Sequence, residues 1–223
     1  MENSIRVPCD CAAVYTTGHM TTWVYSIQPM GMKNSIRVLC EMDTGQGGWT
    51  VIQRRVNGSV SFEKSWDDYR DGFGYVNGEF WLGLENIYNI VSQNTYDLRI
   101  DLEDWDNKTA YAQYSNFNIS NAFDRYRLSV GDYRGTAGDA LNHEDLNTDG
   151  DFEYTHNRRV FHVESKRGGW WHEHTGICNL NGPYIEAKVP YRWDNIYWAI
   201  ARPYNMKTTR MMIRPSAFVQ RQV

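Results

Sequence analysis

Between Asp145 and Glu153 the chain places oxygen-bearing side chains at every second position: Asp145, Asn147, Asp149, Asp151 and Glu153, with Gly150 sixth. A hard cation such as Ca2+ takes six to eight oxygen ligands, and this spacing wraps carboxylates around one centre. The pattern matches the first half of an EF-hand loop. Its twelfth position, however, is His156 instead of a bidentate Glu, and no paired amphipathic helices flank it. The competing reading is a solvated acidic turn closed by Asx hydrogen bonds. A second group is imidazole-based. His172 and His174 would share one side of a strand, His162 lies upstream, and imidazole is a common Zn2+ ligand. That cluster is the basis for an alternative of another class, a metal-assisted hydrolase. It lacks the helical HExxH spacing, and neither GxSxG nor a P-loop is present.

The cysteines are Cys9, Cys11, Cys40 and Cys178, which permit three pairings. Their spacing is not a CxxC metal pattern, and one intervening residue makes a Cys9–Cys11 bond awkward. Asn57, Asn107 and Asn118 each begin an N-x-Ser/Thr sequon, usable for glycosylation in a secretory compartment. The N-terminus, MENSIRVPCDC, has no apolar stretch of signal-peptide type, so secretion would require a longer precursor.

The elements that position these groups are legible in places. Tyr96, Leu98, Ile100 and Leu102 alternate with Asp97, Arg99, Asp101 and Glu103, which predicts a half-buried strand. Tyr126, Leu128 and Val130 repeat the alternation, and residues 49–56 read as a strand covered on both sides. Ser65 is placed to cap a helix beginning WDDYRDGFG, with Asp67 and Asp68 in its first turn. A second helix is predicted over Phe80–Val91, from Trp81, Leu84, Ile87, Tyr88 and Val91 at helical spacing. Residues 142–182 are polar, Gly-rich and irregular, the signature of functional loops. Strand character returns at Met211–Ile213. The class is α+β.

The chain has 223 residues with nine Trp and 15 Tyr, enough for a sizeable aromatic core. A net charge of −4 without any Lys/Arg cluster argues against nucleic acid. No apolar run approaches 18 residues, so no membrane insertion is expected.

The block CEMDTGQGGWTVIQRRVNGSVSFEKSWDDYRDGFGYVNGEF, followed by WLGLENI, then YDLRIDLEDWDNKTAYAQY, AGDAL, GGWW and NLNG, occurs in one order. From Asp10 to Pro215 it resembles the fibrinogen C-terminal, or fibrinogen-related, domain of ficolins, angiopoietins, fibrinogen-like proteins and microfibril-associated glycoproteins. The resemblance implies one domain over 1–223. Residues of about 9–48 would form a Cys-bounded N-terminal part and 49–135 a central antiparallel sheet with short helices. Residues 136–223 would form a loop-rich binding part whose final strand returns to the sheet. It also implies a Cys11–Cys40 disulfide, leaving a Cys9–Cys178 bond, interchain bonds or thiols open. After AGDAL (137–141) the family carries a Ca2+ loop, matched best by Asp149 and Asp151.

One motif departs from the family. Where relatives read GGWWxxxCH, this chain has Thr175 and Gly176, and the Cys expected upstream falls near His162. The resemblance nevertheless implies a ligand site built from Trp171, His172, His174, Trp193 and Asp194. Asp194 would meet an incoming positive charge and Trp193 would supply an apolar or cation–π wall. The implied function is a secreted, non-enzymatic recognition domain for an extracellular receptor or matrix protein. A ficolin-like lectin for acetylated glycans in innate immunity is the alternative. Native oligomers would form through coiled-coil or collagen-like segments that this sequence does not contain.

Overall fold

The computed structural model describes residues 7–141, 168–171, 177–190, 192 and 195–218, and the backbone alone of 162–164. The chain begins with α1 (Cys11–Thr16), capped by the Asp10 carboxylate accepting from the Ala13 N–H at 2.8 Å. Then come β1 (Trp23–Ile27), β2 (Ile36–Glu41) and β3 (Trp49–Arg55). Helix α2 (Trp66–Asp71), β4 (Phe73–Gly74), β5 (Phe80–Trp81) and α3 (Leu84–Val91) follow. Strands β6 (Tyr96–Glu103) and β7 (Thr109–Ile119) form a long hairpin, with β8 (Leu128–Ser129) and β9 (Tyr133–Gly135) on the far side of β7. Short pairs complete the chain: β10 (His162–Glu164) with β11 (Gly168–Trp170), and β12 (Cys178–Asn179) with β13 (Tyr197–Trp198). The last strand is β14 (Thr208–Pro215).

The large antiparallel sheet runs β1-β2-β3-β14-β6-β7-β8. Strand β14, last in sequence, therefore lies between β3 and β6 and closes the sheet. Its Met211, Met212 and Ile213 are fully buried, so apolar burial drives the long-range closure. Strand β6 alternates strictly between buried and half-buried positions, as its sequence pattern predicts. Cys11 and Cys40 are joined by a disulfide whose Cα atoms lie 5.4 Å apart, tying α1 to β2. Closing a loop of this size contributes ~3–4 kcal/mol by loop entropy.

Ser65 caps α2 as expected, and the Asp68 side chain accepts from the Ser65 N–H in return. The helix predicted over Phe80–Val91 is shorter. Phe80 and Trp81 are strand residues paired with β3 and β4, and α3 starts only at Leu84. Gly83 explains the break, since its φ of +101° lies outside helical space and ends the strand with a sharp turn. Trp81 belongs to the sheet, not to the helical face. Of the alternation around 126–130, only Leu128 and Ser129 pair with β7. Strand β7 and helix α1 had no clean period in the sequence, because Asn, Ser and Ala interrupt the one and the other is six residues long.

Candidate functional site

The loop-rich part is built from Gly-Gly-Trp-Trp and Asn-Leu-Asn-Gly outward. Gly168 has φ +75°, and a side chain there would run into the Asn181 carbonyl oxygen, so the two blocks touch only because that residue is Gly. Asn181 Nδ2 donates to the Gly169 carbonyl at 2.8 Å, and the Asn181 N–H donates to Asn179 Oδ1 at 2.9 Å. Both asparagines are fully buried. A buried amide must find partners or cost several kcal/mol (about 1–3 per unmet group), so these contacts lock the loop.

Strand β3 anchors this lobe to the sheet. Gln53 Nε2 donates to the Leu180 carbonyl at 2.8 Å and to Asn181 Oδ1 at 3.1 Å. Arg55 donates to the carbonyls of Leu180 and Gly182 at 3.2 and 2.8 Å, with its guanidinium 3.8 Å from the Phe62 ring centroid. Burial lowers the Arg55 pKa to about 10, with the Glu79 charge opposing, so it remains a cation at neutral pH. Burial pushes the Glu79 carboxyl up, but N–H groups of Val56, Val60, Gly58 and Asn57 outweigh it and hold the group below its usual range.

The remaining contacts fix the turns around the lobe. Trp198 Nε1 donates to the Gly138 carbonyl at 3.1 Å. The Tyr114 hydroxyl donates to Asp139 at 2.9 Å and accepts from the N–H groups of Ala140 and Leu141. Burial, reinforced by the Asp139 charge, pushes the Tyr114 phenol up, so it stays protonated. The Ala-Gly-Asp-Ala-Leu segment is thus immobilised four residues before Asp145. Buried Asn195 ties the 190–195 turn, donating to the Pro190 carbonyl at 3.3 Å and accepting from the Arg192 N–H at 3.2 Å. Asn205 does the same for 185–189, through the carbonyls of Ile185 and Ala187 and the Val189 N–H.

A model of the family described as "Fibrinogen beta and gamma chains, C-terminal globular domain" matches residues 7–216. The chain belongs to the fibrinogen C-terminal domain family. It is 41% identical over 220 residues to fibrinogen C domain-containing protein 1-B of Xenopus laevis, covering 93% of this chain and 47% of the relative. It is 39% identical to angiopoietin-4 of Bos taurus, covering 93% and 43%. Thus the chain spans about half the length of the curated relatives it matches. Among solved structures, the fibrinogen-like globe domain of human ANGPTL2 superposes with a TM-score of 0.83 at 35% identity, over 93% of this chain and 99% of that one. A lamprey fibrin D-dimer complexed with the peptide Gly-His-Arg-Pro-amide gives 0.83 at 35%, over 99% and 76%. These domains are non-enzymatic recognition modules, and the hydrolase alternative falls with that membership.

The structure revises some of the expected site residues and describes others only in part. Trp171 is 2% exposed, packs on Trp81 with ring centroids 6.0 Å apart, and donates from Nε1 to the Tyr126 carbonyl at 2.8 Å. It supports the loop from beneath and presents no surface to a ligand. Cys9 and Cys178 are not joined to each other within the chain, and the Cys178 sulfur lies against the Ala140 carbonyl as a donor. His172, His174, Trp193 and Asp194 lie outside the described residues, as do Asp145, Asn147, Asp149, Asp151 and Glu153. Of His162, only the backbone is described, paired with Trp170. Asn57, Asn107 and Asn118 are all exposed, as a glycan requires.

Sequence reasoning missed the buried asparagines and the Gln53/Arg55 anchor. One signal was present: Gln53 and Arg55 are polar residues within a strand whose sequence reads as covered on both sides. A buried polar group needs a partner, and that partner had to come from elsewhere in the chain.

Proposed function

We propose that this domain recognises an extracellular protein, a receptor or a matrix component, through its C-terminal loops, with one Ca2+ organising them and no catalytic step. The observation that carries this reading is the lobe's construction. Short loops around 177–206 are held by fully buried amides, whereas regular ladders hold the sheet. A pre-organised loop surface lowers the ordering cost of binding, as a recognition site needs. The lamprey relative binds a short peptide, which supports a polypeptide ligand. Relatives named angiopoietin-4 and angiopoietin-related protein 1 support an extracellular setting, with this chain secreted. No described helix is long and apolar enough to cross a membrane.

Carboxylate and amide oxygens alternating from Asp145 to Glu153 suit a hard cation, with Asp149 and Asp151 as its main ligands. The ion would supply charge and rigidity to the loop. The domain as a whole, 1–223, is read as one recognition unit.

The test is binding of the labelled domain to a panel of extracellular proteins and to N-acetylated and non-acetylated resins, each with Ca2+ and then EDTA. Saturable, EDTA-sensitive binding to a protein, weakened by Asp149→Ala with Asp151→Ala, is the expected result. Acetyl-selective, EDTA-reversible retention with no protein ligand would replace this reading by the lectin one.

A further inference from the structure

The two ends of the large sheet are finished differently. At the far end β8 is two residues long, and Asn118, an N-x-Ser/Thr site, lies on the adjoining β7 in register with Ser129. A short strand beside a glycan site gives an incoming strand little to pair with. At the near end β1 pairs with β2 over five consecutive residues without a register shift, and among the described residues no strand lies on its other side. From Thr21 to Gln28 the chain reads Thr-Thr-Trp-Val-Tyr-Ser-Ile-Gln, with no charge, proline or bulge to blunt the edge.

This edge is also where exposed apolar surface collects. Seven large apolar side chains are exposed among the described residues, and four of them, Val7, Met20, Trp23 and Met30, lie on β1 or just outside its ends. Trp23 alone is 68% exposed. Val7 joins the group because the Gln28 N–H, just past β1, is donated to the Pro8 carbonyl at 2.7 Å. That N–H is turned away from β2. Backbone direction alternates along a strand, so Val24 and Ser26 turn their N–H and C=O groups the same way. Asn57 follows the end of β3 and Asn107 lies in the β6–β7 turn, so none of the three glycan sites is on β1 or β2.

We propose that the β1 edge pairs antiparallel with β1 of a second copy of this chain, about a two-fold axis at Val24, joining the two sheets into one. With the axis there, Trp23 lies opposite Tyr25 of the second copy, twice, and aromatic residues make favourable cross-strand pairs. Pairing then runs from Thr22 to Ser26, and Gln28, already bonded to Pro8, stays outside it. A copy is the occupant because the edge is complementary to itself. An uncharged strand meets no like charge on its own image, even in a chain whose net charge is −4. An isologous pair also uses up the free edge of both copies, so the assembly closes. Burying Trp23, its apolar neighbours and the strand backbone on two copies removes on the order of 1,000 Å² from water, the lower bound for a specific interface. The dimer is therefore weak, with a Kd of about 1–100 µM. It brings two loop lobes into one particle, whatever those lobes bind.

Sedimentation velocity of the whole chain, from about 1 µM to about 1 mM, reads the equilibrium directly. A monomer–dimer equilibrium is expected, little changed by salt because no ion pair holds it. Amide exchange at Val24 and Ser26 should slow as concentration rises. Trp23→Lys sets two like charges near the axis and should raise Kd by roughly tenfold or more, with unchanged Tm because the side chain is exposed. Phe123→Lys is the control: Phe123 is 94% exposed in the turn before β8, at the other end of the sheet, and its loss should leave Kd unchanged. A monomer at every concentration would overturn the proposal, and protected Val24 and Ser26 amides in that monomer would mean that the edge is covered from within the chain. No rise in Kd from Trp23→Lys, or an equal rise from Phe123→Lys, would overturn it in favour of another surface or of non-specific apolar association. Loop-ligand binding by Trp23→Lys, measured below the dimer Kd, should match wild type, so this proposal and the loop reading fail separately.

Discussion

The central sheet and the loop lobe are held together by different chemistry. In β6 and β14, Leu98, Ile100, Leu102, Met211 and Ile213 are buried on a backbone ladder that runs unbroken from Thr208 to Pro215. In the lobe, strands are two or three residues long, and Asn179, Asn181, Asn195 and Asn205 replace the ladder by bonding to backbone groups. An apolar ladder tolerates small changes of side chain, since burial is roughly additive in area. A side-chain amide holding a carbonyl at 2.8 Å tolerates none, since even Asn→Asp removes a donor. The sheet therefore supplies stability, and the lobe supplies shape, which is what recognition requires.

Substitutions can break that contrast. Ile100→Ala, at the centre of the sheet, should cost about 2–5 kcal/mol and lower Tm of the whole domain in one transition. A loss confined to the lobe, seen by hydrogen exchange, would contradict the division. Asn181→Ala should cost about 1–3 kcal/mol, because the Gly169 carbonyl and the Gln53 amide lose a partner. Its mark is faster amide exchange at 177–182 and 168–171 while 96–103 stays protected. Trp198→Phe removes the bond to the Gly138 carbonyl together with part of a fully buried ring and should cost about 1–3 kcal/mol. Weakened Ca2+ binding in that variant, read by calorimetry, would tie the 137–141 segment to the adjacent oxygen-rich loop.

The smallest effect is on pH dependence. Glu79 has a folded pKa below its unfolded value, so its contribution is complete above about 4.3 and is lost as pH falls through the folded pKa. Glu79→Gln should therefore shallow the fall in Tm between pH 5 and more acid solutions, values set by the ordinary carboxylate range of about 4. An unchanged acid limb would show that the N–H cradle of 56–60 does not depend on the ionised form.

Much of the sheet could be read before any coordinates. Alternation in 96–103 announces a strand because a pleated backbone sends successive side chains to opposite faces. The cap at Ser65 announces α2 because unpaired N–H groups at a helix start need an acceptor. The lobe was legible mainly as an ordered set of motifs, Gly-Gly-Trp-Trp and Asn-Leu-Asn-Gly, whose mutual contact no local period encodes. Trp171 shows the limit. Its motif placed it among the ligand-site residues, whereas packing on Trp81 and the Tyr126 carbonyl makes it a support.

The sequence alone determined the family, the Ser65 cap, the β6 pattern and the oxygen-rich segment, because each is written in neighbouring residues. Only the tertiary structure decided the rest. Residues 53 and 181 meet across 128 positions, and β14 enters between β3 and β6. Those contacts depend on strand register and loop closure. Both are set by the burial of the whole core, which no short window of residues contains.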